Sequence, residues 1–378
     1  MDFELTPDQK LFRATTKKFL DTEVPLSTVR ELSTGPHGFA RDWWTRGAEL
    51  GWTALLVPEE QGGGSVSDAG LLDLLIVAEE MGRLVSPGPL LPVNVVLSAL
   101  VEAGGHESTV ESLMAGETIG TWAVYEPGSG WTPDDPSVTA TPTDDGWTLS
   151  GVKDRVEAAE AADLFLVTVR APEGLTQFLV PADAPGLRVE PSWSLDLVRR
   201  FGELHLDDVQ VPATALVGRL GAAAPLVDRQ RLIASVLQSA ETAGAVDRVL
   251  EFTIAWAFDR YSFGRPLASY QALKHRFADM KTWLEACHGI VSAAGRAVQD
   301  RSGDAAELVA AAASYVGSKA TDIIQDCVQL HGGIGVTWEH DLHLYLRRAT
   351  VNRALYGTPE EHRRALADLV IASEGVSA

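Results

Sequence analysis

The sequence of 378 residues contains only two cysteines, Cys287 and Cys327, which lie far apart. Two isolated cysteines provide neither a disulfide framework nor the paired spacing of a zinc site. No uninterrupted apolar run reaches the roughly 18 to 20 residues that cross a bilayer. The first residues, MDFELTPDQK, lack the apolar core of a secretory signal. These absences predict a cytoplasmic protein with no membrane span and no bound metal.

Positive charge is also scarce, because 31 lysines and arginines stand against 52 aspartates and glutamates, for a formal net charge of -21. This excess of negative charge argues against binding nucleic acid through a basic surface. The composition, with 46% hydrophobic and 22% charged residues, is that of a soluble globular protein. The chain exceeds the usual size of one hydrophobic core, so we expect two or three subdomains.

The spacing of apolar and turn-forming residues changes twice along the chain. Residues 1–118 have apolar side chains at helical spacing, beginning after a predicted cap at Thr6. Residues 119–222 contain short β-rich runs, such as DLFLVTVRA, between Gly, Pro and Asp turns. Residues 223–378 return to a helical period with an unusually long first helix, in which Gly244 could cause a bend. We therefore predict a mainly α protein with an N-terminal helical domain, a central antiparallel, barrel-like β domain and a C-terminal four-helix bundle.

Three stretches carry more information than periodicity does. DRYSFGRPLASYQALKHRFADM, residues 259–280, contains Arg-x-x-Phe-Gly and a glutamine eleven residues beyond the arginine. QLHGGIGVTWEHDLHLYLRRA, residues 329–349, contains Gln-x-x-Gly-Gly-x-Gly, and LGWTALLVPEEQGGG covers residues 50–64. In this order around a β domain, the three stretches resemble the acyl-CoA dehydrogenase family of flavoproteins over essentially the whole chain.

The resemblance implies an FAD site in which an arginine binds the pyrophosphate, glycines admit close backbone approach, and aromatic and amide groups meet the rings. Other interpretations of the same residues are a core phenylalanine, a surface ion pair and a glycine helix C-cap. In oligomeric family members this set reaches across the interface to a dinucleotide held mainly by the neighbouring subunit. The residues expected to bind FAD are Arg260, Phe263, Gln271, Gln329, Gly332, Gly333 and Thr358.

The family reaction needs a carboxylate that removes a proton from the carbon alpha to a thioester. In most members that glutamate directly precedes a Gly-Thr pair matching Gly357 and Thr358, but this chain has Tyr356 there. A phenol, with a reference pKa of about 10, is a poor base at neutral pH. Glu360 and Glu361 follow a strand-like ALYGT and are predicted to begin a helix, where the dipole favours their charged form.

Some family members place the base on the long helix instead, in a context like Glu-Arg-Leu. The matching positions here are Gln230 and, by ungapped counting, Ala234, and neither can accept a proton. Glu241 is the acid that remains near the apolar stripe of this helix. It is either a base in an apolar setting or a core-edge glutamate paired with an arginine. Glu241 and Tyr356 are therefore weak catalytic candidates.

The β domain also departs from the family pattern. AVYEPGSGW keeps Glu126 and its proline from a family loop that supports flavin, but in altered register. GVKDRVEAAEAAD places Arg155 and Glu157 where the family strand presents an aromatic residue and a threonine to the flavin ring. A glutamate there would disfavour the reduced, anionic flavin, so the chain's own ring site is predicted to be lost.

This combination resembles the non-catalytic subunit of heteromeric bacterial acyl-CoA dehydrogenases for steroid side chains. It implies a heterotetramer with a homologous subunit that supplies the base, and a bulky, steroid-derived acyl-CoA as substrate. The alternatives are a self-sufficient homomeric flavoenzyme that uses Glu241 or Tyr356, and a flavin-free scaffold that binds acyl-CoA. His331, His340 and His343 have no cysteine or acidic cluster around them, so we expect packing and capping roles for them.

Overall fold

The computed structural model describes residues 4–35, 38–128 and 130–373. Within these residues the predicted architecture, mainly α with a central β domain, is confirmed. The α-helices are α1 (Pro7–Glu23), α2 (Leu26–Leu32), α3 (Arg41–Glu49), α4 (Gly70–Arg83), α5 (Leu90–Ala103), α6 (Glu107–Met114), α7 (Ala224–Asp259), α8 (Gln271–Gln299), α9 (Ala305–His331), α10 (Leu342–Asn352) and α11 (Pro359–Ser373). The strands are β1 (Gly120–Ala123), β2 (Thr139–Pro142), β3 (Gly146–Glu157), β4 (Leu164–Ala171), β5 (Gly174–Pro181), β6 (Leu187–Ser192), β7 (Phe201–Pro212), β8 (Leu216–Val217), β9 (Tyr261–Ser262) and β10 (Arg265–Pro266).

The chain divides into two compact units. The first unit contains the described residues up to Arg30, residues 75–86, and the described residues from Ser235 onward. The second unit contains the described residues between 31 and 74 and between 87 and 234. The β domain therefore lies wholly in the second unit, and α8 to α11 lie in the first.

The first unit begins with the predicted cap. The Thr6 hydroxyl accepts a hydrogen bond from the backbone N–H of Gln9, whose side chain accepts one from the Thr6 N–H, which completes a capping box. Helix α9 packs against α8, α10 and α11, with Met280, Leu284 and Ile323 in the core. These helices and the C-terminal part of α7 form the bundle predicted from the long helical repeats.

Helices α4 and α7 approach each other closely because each contributes a glycine. A Cβ at Gly82 would lie 1.9 Å from the backbone oxygen of Glu241, and a Cβ at Gly244 would lie 2.0 Å from that of Glu79. Helix α7 runs through Gly244 for 36 residues. Gly244 thus permits close packing of two backbones.

The second unit is built around an eight-stranded sheet within the described residues, in the order β6-β7-β3-β2-β4-β5-β8, with β1 beside β4. Most pairings are antiparallel, as predicted, while β1 and β2 run parallel to β4. The apolar helix α5 packs on β1, and Leu97, Leu100, Phe165 and Phe178 are buried in this core. The sheet is long at β3 and β7, which pair along most of their 12 residues each.

The strand-like interpretation of ALYGT was wrong. Helix α10 ends at Asn352 and α11 begins at Pro359, and the residues between them form turns. Tyr356 has φ 55° and Gly357 has φ 102°, both in the left-handed region that interrupts extended backbone. The His362 imidazole packs where a Cβ at Gly357 would lie, 2.8 Å away.

Candidate functional site

The Arg-x-x-Phe-Gly motif folds into a small hairpin directly after α7. Strands β9 and β10 pair antiparallel, and the two residues between them, Phe263 and Gly264, have φ values of 50° and 78°. Two consecutive left-handed residues are typical of a type I′ turn. The hairpin holds the Phe263 side chain 96% exposed, so this ring is not part of the core.

Arg260 begins this hairpin with an exposed side chain. Its guanidinium lies 6.0 Å from the centre of the Trp256 ring, and among the described residues no carboxylate forms an ion pair with it. The surface ion pair considered from the sequence is therefore not formed there. Gln271, the first residue of α8, is also exposed.

The Gln-x-x-Gly-Gly motif lies at the end of α9. Gly332 has φ 65° and donates its N–H to the backbone oxygen of Gln329, as a helix-ending glycine does. A Cβ at Gly332 or at Gly333 would meet nothing within 4 Å, so the backbone there faces open space. The Gln329 side chain is exposed beside it. The C-cap role and the predicted approach of a dinucleotide are thus compatible.

The ends of α7 and α9 lie side by side. The Trp256 and His331 rings stack with centres 5.3 Å apart and an angle of 16° between their planes. His331 also donates a hydrogen bond through Nδ1 to the backbone oxygen of Cys327, and burial lowers the pKa of this histidine. His340 packs on His331 with a centroid distance of 4.6 Å. This stack brings the two predicted flavin motifs to one region of the first unit.

Exposed apolar side chains flank both motifs. A cluster of large, exposed apolar side chains is typical of an interaction surface. Those following α7 and α9 are Phe258, Tyr261, Phe263, Ile334, Val336 and Trp338. We call these six residues the apolar rim.

Tyr356 is buried in the turn before α11, and its neighbour Thr358 caps that helix. The Thr358 hydroxyl accepts from the backbone N–H of Glu361 at 3.2 Å, while a Glu361 carboxylate oxygen accepts from the Thr358 N–H at 2.7 Å. Glu360 pairs with Arg353 and with an arginine one turn later on α11. The two glutamates therefore have the helix-starting role expected of them.

Glu241 is paired with an arginine, which is one of the two alternatives drawn from the sequence. Its carboxylate accepts from Arg348 at 2.6 Å and from the Asn352 amide at 3.0 Å. The Arg348 side chain is 2% exposed. A proton taken up by Glu241 would leave a buried guanidinium without its counter-charge, which is costly.

The position on α7 where some family members place their base is filled by a buried amide. The Gln230 side chain is fully buried and accepts from Gln177 on β5 at 2.8 Å. The same Gln177 amide donates to Thr168 at 3.0 Å. Ala234, one turn further along α7, is also buried. These residues hold α7 against the sheet and leave no proton acceptor at this position.

Glu126 anchors its loop. Burial alone would raise the pKa of Glu126, but the Lys153 ammonium at 2.7 Å and hydrogen bonds from Ser137 and Val138 bring it down to about 2. Lys153 is fully buried, so the two residues form a buried ion pair, and both carboxylate oxygens of Glu126 accept hydrogen bonds. Glu126 therefore fixes the backbone of residues 137–138 against β3.

Glu157 has a partner that the sequence did not reveal. Its carboxylate accepts from Arg199 at 2.8 Å, and both side chains are more than nine-tenths buried. Arg155 lies instead over the Tyr125 ring, with its guanidinium carbon 4.2 Å from the ring centre. A buried glutamate in a strand requires a positively charged partner. The arginines of the VRRF segment, which leads into β7, were the sequence signal for such a partner. An ion pair thus occupies this end of β3.

Three family models match the chain in the order of its sequence. The N-terminal domain model of acyl-CoA dehydrogenases covers residues 6–115, the middle-domain model covers 121–209, and the C-terminal model covers 233–371. Together they account for most of the chain. The protein belongs to the acyl-CoA dehydrogenase family.

Individual acyl-CoA dehydrogenases match over nearly their whole length. The chain is 31% identical to acyl-CoA dehydrogenase IpdE2 of Mycolicibacterium smegmatis, over 96% of this chain and 98% of that protein. It superimposes on a variant of the Tcur3481–Tcur3483 steroid ACAD with a TM-score of 0.87 and 28% identity, over 98% of this chain and 99% of the other. A glutaryl-CoA dehydrogenase from Mycobacterium smegmatis in complex with FADH2 shares the fold, with a TM-score of 0.89, 24% identity, and coverage of 99% and 96%.

FAD is the cofactor of this acyl-CoA dehydrogenase fold, and the exposed groups at the ends of α7 and α9 fit it. Arg260 is a cation with no carboxylate partner among the described residues, which suits a pyrophosphate. Gly332 and Gly333 leave the space that a close ligand needs. Among the described residues, no helix has the length and apolar character required to span a membrane.

Proposed function

We propose that this chain is the non-catalytic subunit of a heteromeric, FAD-dependent acyl-CoA dehydrogenase. A homologous partner supplies the base, and this chain completes the partner's FAD site with Arg260, Phe263, Gln271, Gln329, Gly332, Gly333 and Thr358. One observation carries the proposal: the residues expected to bind flavin lie at the surface, except the half-buried Thr358, while each family position for a base is occupied by a residue that is not a carboxylate.

The lack of a base rests on three positions. Tyr356 replaces the glutamate before Gly-Thr and is buried. Gln230 replaces the glutamate of the long helix and is held by Gln177. Glu241 accepts hydrogen bonds from Arg348 and Asn352. Its protonation would remove the negative charge that faces the buried Arg348 guanidinium.

The need for a partner rests on exposure. The Phe263 ring is almost entirely in solvent, and the other five side chains of the apolar rim are exposed as well. Aromatic residues and arginine are enriched at the buried centres of protein interfaces. A second subunit that covers the apolar rim would bury these side chains and bring its own FAD to Arg260. A heterotetramer satisfies both requirements.

The relatives support a substrate class. The solved structure with 28% identity is a steroid ACAD, and its name joins two components, Tcur3481 and Tcur3483. We therefore propose a bulky, steroid-derived acyl-CoA as substrate and a two-gene enzyme as the active form. A lost flavin-ring site in one subunit leaves room for a large acyl group beside the one that remains.

In this enzyme the chain binds and orients. Arg260 would hold the pyrophosphate of FAD through charge-assisted hydrogen bonds, and Gly332 and Gly333 would leave room for the cofactor beside the backbone. Gln271 and Gln329 offer amide donors and acceptors to ribityl or adenine edges. FAD, when bound, supplies the acceptor for the hydride that leaves the β carbon, and a carboxylate of the partner takes the α proton.

The test is co-expression with homologous acyl-CoA dehydrogenase chains, followed by measurement of flavin absorbance and of desaturation of steroid-derived acyl-CoA. We expect a mixed oligomer that retains flavin, with flavin lost on Arg260→Ala and kept on Arg364→Ala, an exposed arginine of α11. A partner complex whose flavin content does not respond to Arg260→Ala would contradict the cross-subunit role.

A further inference from the structure

Strands β6 and β7 place two glutamates and a histidine on one face at the edge of the sheet. Glu190 of β6 lies directly opposite Glu203 of β7, and His205 follows Glu203 by two residues, hence on the same face. Like charges directly opposite each other on paired strands destabilise the pairing. Arg188 pairs with Glu190, whereas among the described residues no lysine or arginine forms an ion pair with Glu203.

The histidine nitrogen lies between the two carboxylates without a normal hydrogen bond. His205 Nε2 is 3.5 Å from a Glu190 oxygen and 3.4 Å from a Glu203 oxygen. Hydrogen bonds from nitrogen to oxygen are usually about 2.7–3.2 Å long. This nitrogen is shielded from solvent and has no hydrogen-bond partner among the described residues. A buried ring nitrogen of this kind is available to another ligand.

The two distances from His205 Nε2 are close to the separation of ligand atoms around a tetrahedral metal ion. Zinc binds histidine nitrogen and carboxylate oxygen at about 2.0–2.1 Å, so two ligand atoms of a tetrahedron lie about 3.3–3.4 Å apart. The Nε2 and the two carboxylate oxygens all lie within 4.8 Å of one another. Small rotations of the exposed Glu190 side chain suffice to close the set around an ion.

The neighbouring charge leaves this set available. Arg188, opposite His205 on β6, pairs with the Oε1 atom of Glu190, whereas Oε2 of Glu190 faces the histidine. Oε2 of Glu190, a carboxylate oxygen of Glu203 and Nε2 of His205 are thus the three donor atoms of the set. One imidazole with two carboxylates is a donor set that suits a divalent transition metal.

We propose that Glu190, Glu203 and His205 form a binding site for a divalent transition-metal ion, with Zn²⁺ as the best match. The site lies at the base of the connection between β6 and β7, which carries Arg199 to Glu157. A bound ion ties the two strands together beside this connection. Its role is structural: it holds the segment that delivers Arg199, and it requires neither flavin nor a partner subunit.

The experiment uses the full chain after removal of metal with a chelator, titrated with Zn²⁺ by calorimetry. We expect about one ion per chain and a higher melting temperature on binding. Because loss of a residue that merely supports a metal ligand weakens binding by about 10- to 100-fold, His205→Ala and Glu203→Gln should each weaken it at least tenfold. Co²⁺ bound to the unmodified chain should give visible absorption bands of a tetrahedral site, lost on addition of Zn²⁺.

The control is Glu173→Gln, which removes the same charge from an exposed turn between β4 and β5. It should bind Zn²⁺ like the unmodified chain. Glu190→Gln, on the exposed edge strand, serves as a further ligand variant should His205→Ala fold poorly. The absence of Zn²⁺ uptake, or uptake that none of the three ligand substitutions alters, overturns the proposal.

Discussion

The ends of α7 and α9 differ from the positions where the family keeps its base. At the helix ends, Arg260 and the backbone of Gly332 and Gly333 face open space, and the Phe263 ring lies in solvent. At the base positions, by contrast, Gln230 is bound by Gln177 and Tyr356 is buried, while Glu241 elsewhere on α7 is bound by Arg348. Groups kept available for a ligand are thus separated from groups committed to the chain's own packing. The difference teaches that a chain can keep groups accessible to a ligand at one place while the residues at its base positions serve its own packing.

The largest effect is expected at the buried pair of Arg348 and Glu241. Arg348→Met removes the cationic partner of the largely buried Glu241 carboxylate and should lower the free energy of unfolding by about 3–5 kcal/mol. Replacement of both residues by methionine should recover much of that loss, because no buried charge remains. Thermal and urea unfolding of the two variants, with Arg364→Met as an exposed control, measure this. Equal stability of Arg348→Met and the unmodified chain would show that the pair is not structural.

A second prediction compares two glycines, one packed and one open. Gly244→Ala places a Cβ 2.0 Å from the Glu79 oxygen and should cost about 1–3 kcal/mol, since two helices must move apart. Gly333→Ala meets nothing within 4 Å and should leave the melting temperature unchanged while reducing flavin retention by the partner complex. Destabilisation by both alanines, or by neither, would remove the distinction between the two regions.

The third prediction concerns the pH dependence that Glu126 brings. Its pKa is lowered to about 2, below the ordinary value of 4.5, so the stability it contributes is present above pH 4.5 and is lost as pH falls toward 2. Glu126→Gln should therefore melt below the unmodified chain at pH 7, and the gap should narrow through this window. Melting curves at several pH values give the result, and a gap that widens on acidification would contradict the role of the ionised carboxylate.

The smallest effect on stability is expected at Arg260. Substitution of an exposed side chain usually changes stability by less than about 0.5 kcal/mol. Arg260→Ala should therefore melt with the unmodified chain, yet lower the flavin content of the partner complex. A clear drop in the melting temperature of the isolated chain would instead assign Arg260 to folding.

The sequence predicted the elements better than the contacts within them. The Thr6 cap, the long α7 and the helix start at Glu360 and Glu361 were found because caps and periodicity are local signals. The turn at Tyr356 was missed, since left-handed φ at a tyrosine has no clear signature in sequence. The domain boundaries and the assigned flavin residues stay predictions.

Ion pairs between residues that lie far apart in the sequence could not be predicted from the sequence. Glu157 was predicted to face flavin, but its ion pair with Arg199 depends on how β7 and its preceding connection meet β3. The same holds for Glu241 and Arg348, which come from α7 and α10. For Glu241 the sequence left two alternatives open, and three-dimensional packing supplied the arginine.

The central claim is that this chain cannot take the α proton alone. The most direct measurement is acyl-CoA desaturation by the purified single-gene product, supplied with FAD and an artificial electron acceptor, beside the same assay on the co-purified complex. We predict no turnover by the chain alone and turnover by the complex. Steady desaturation by the single chain would contradict the account, whether or not a Glu241→Gln, Tyr356→Phe double variant reduces it.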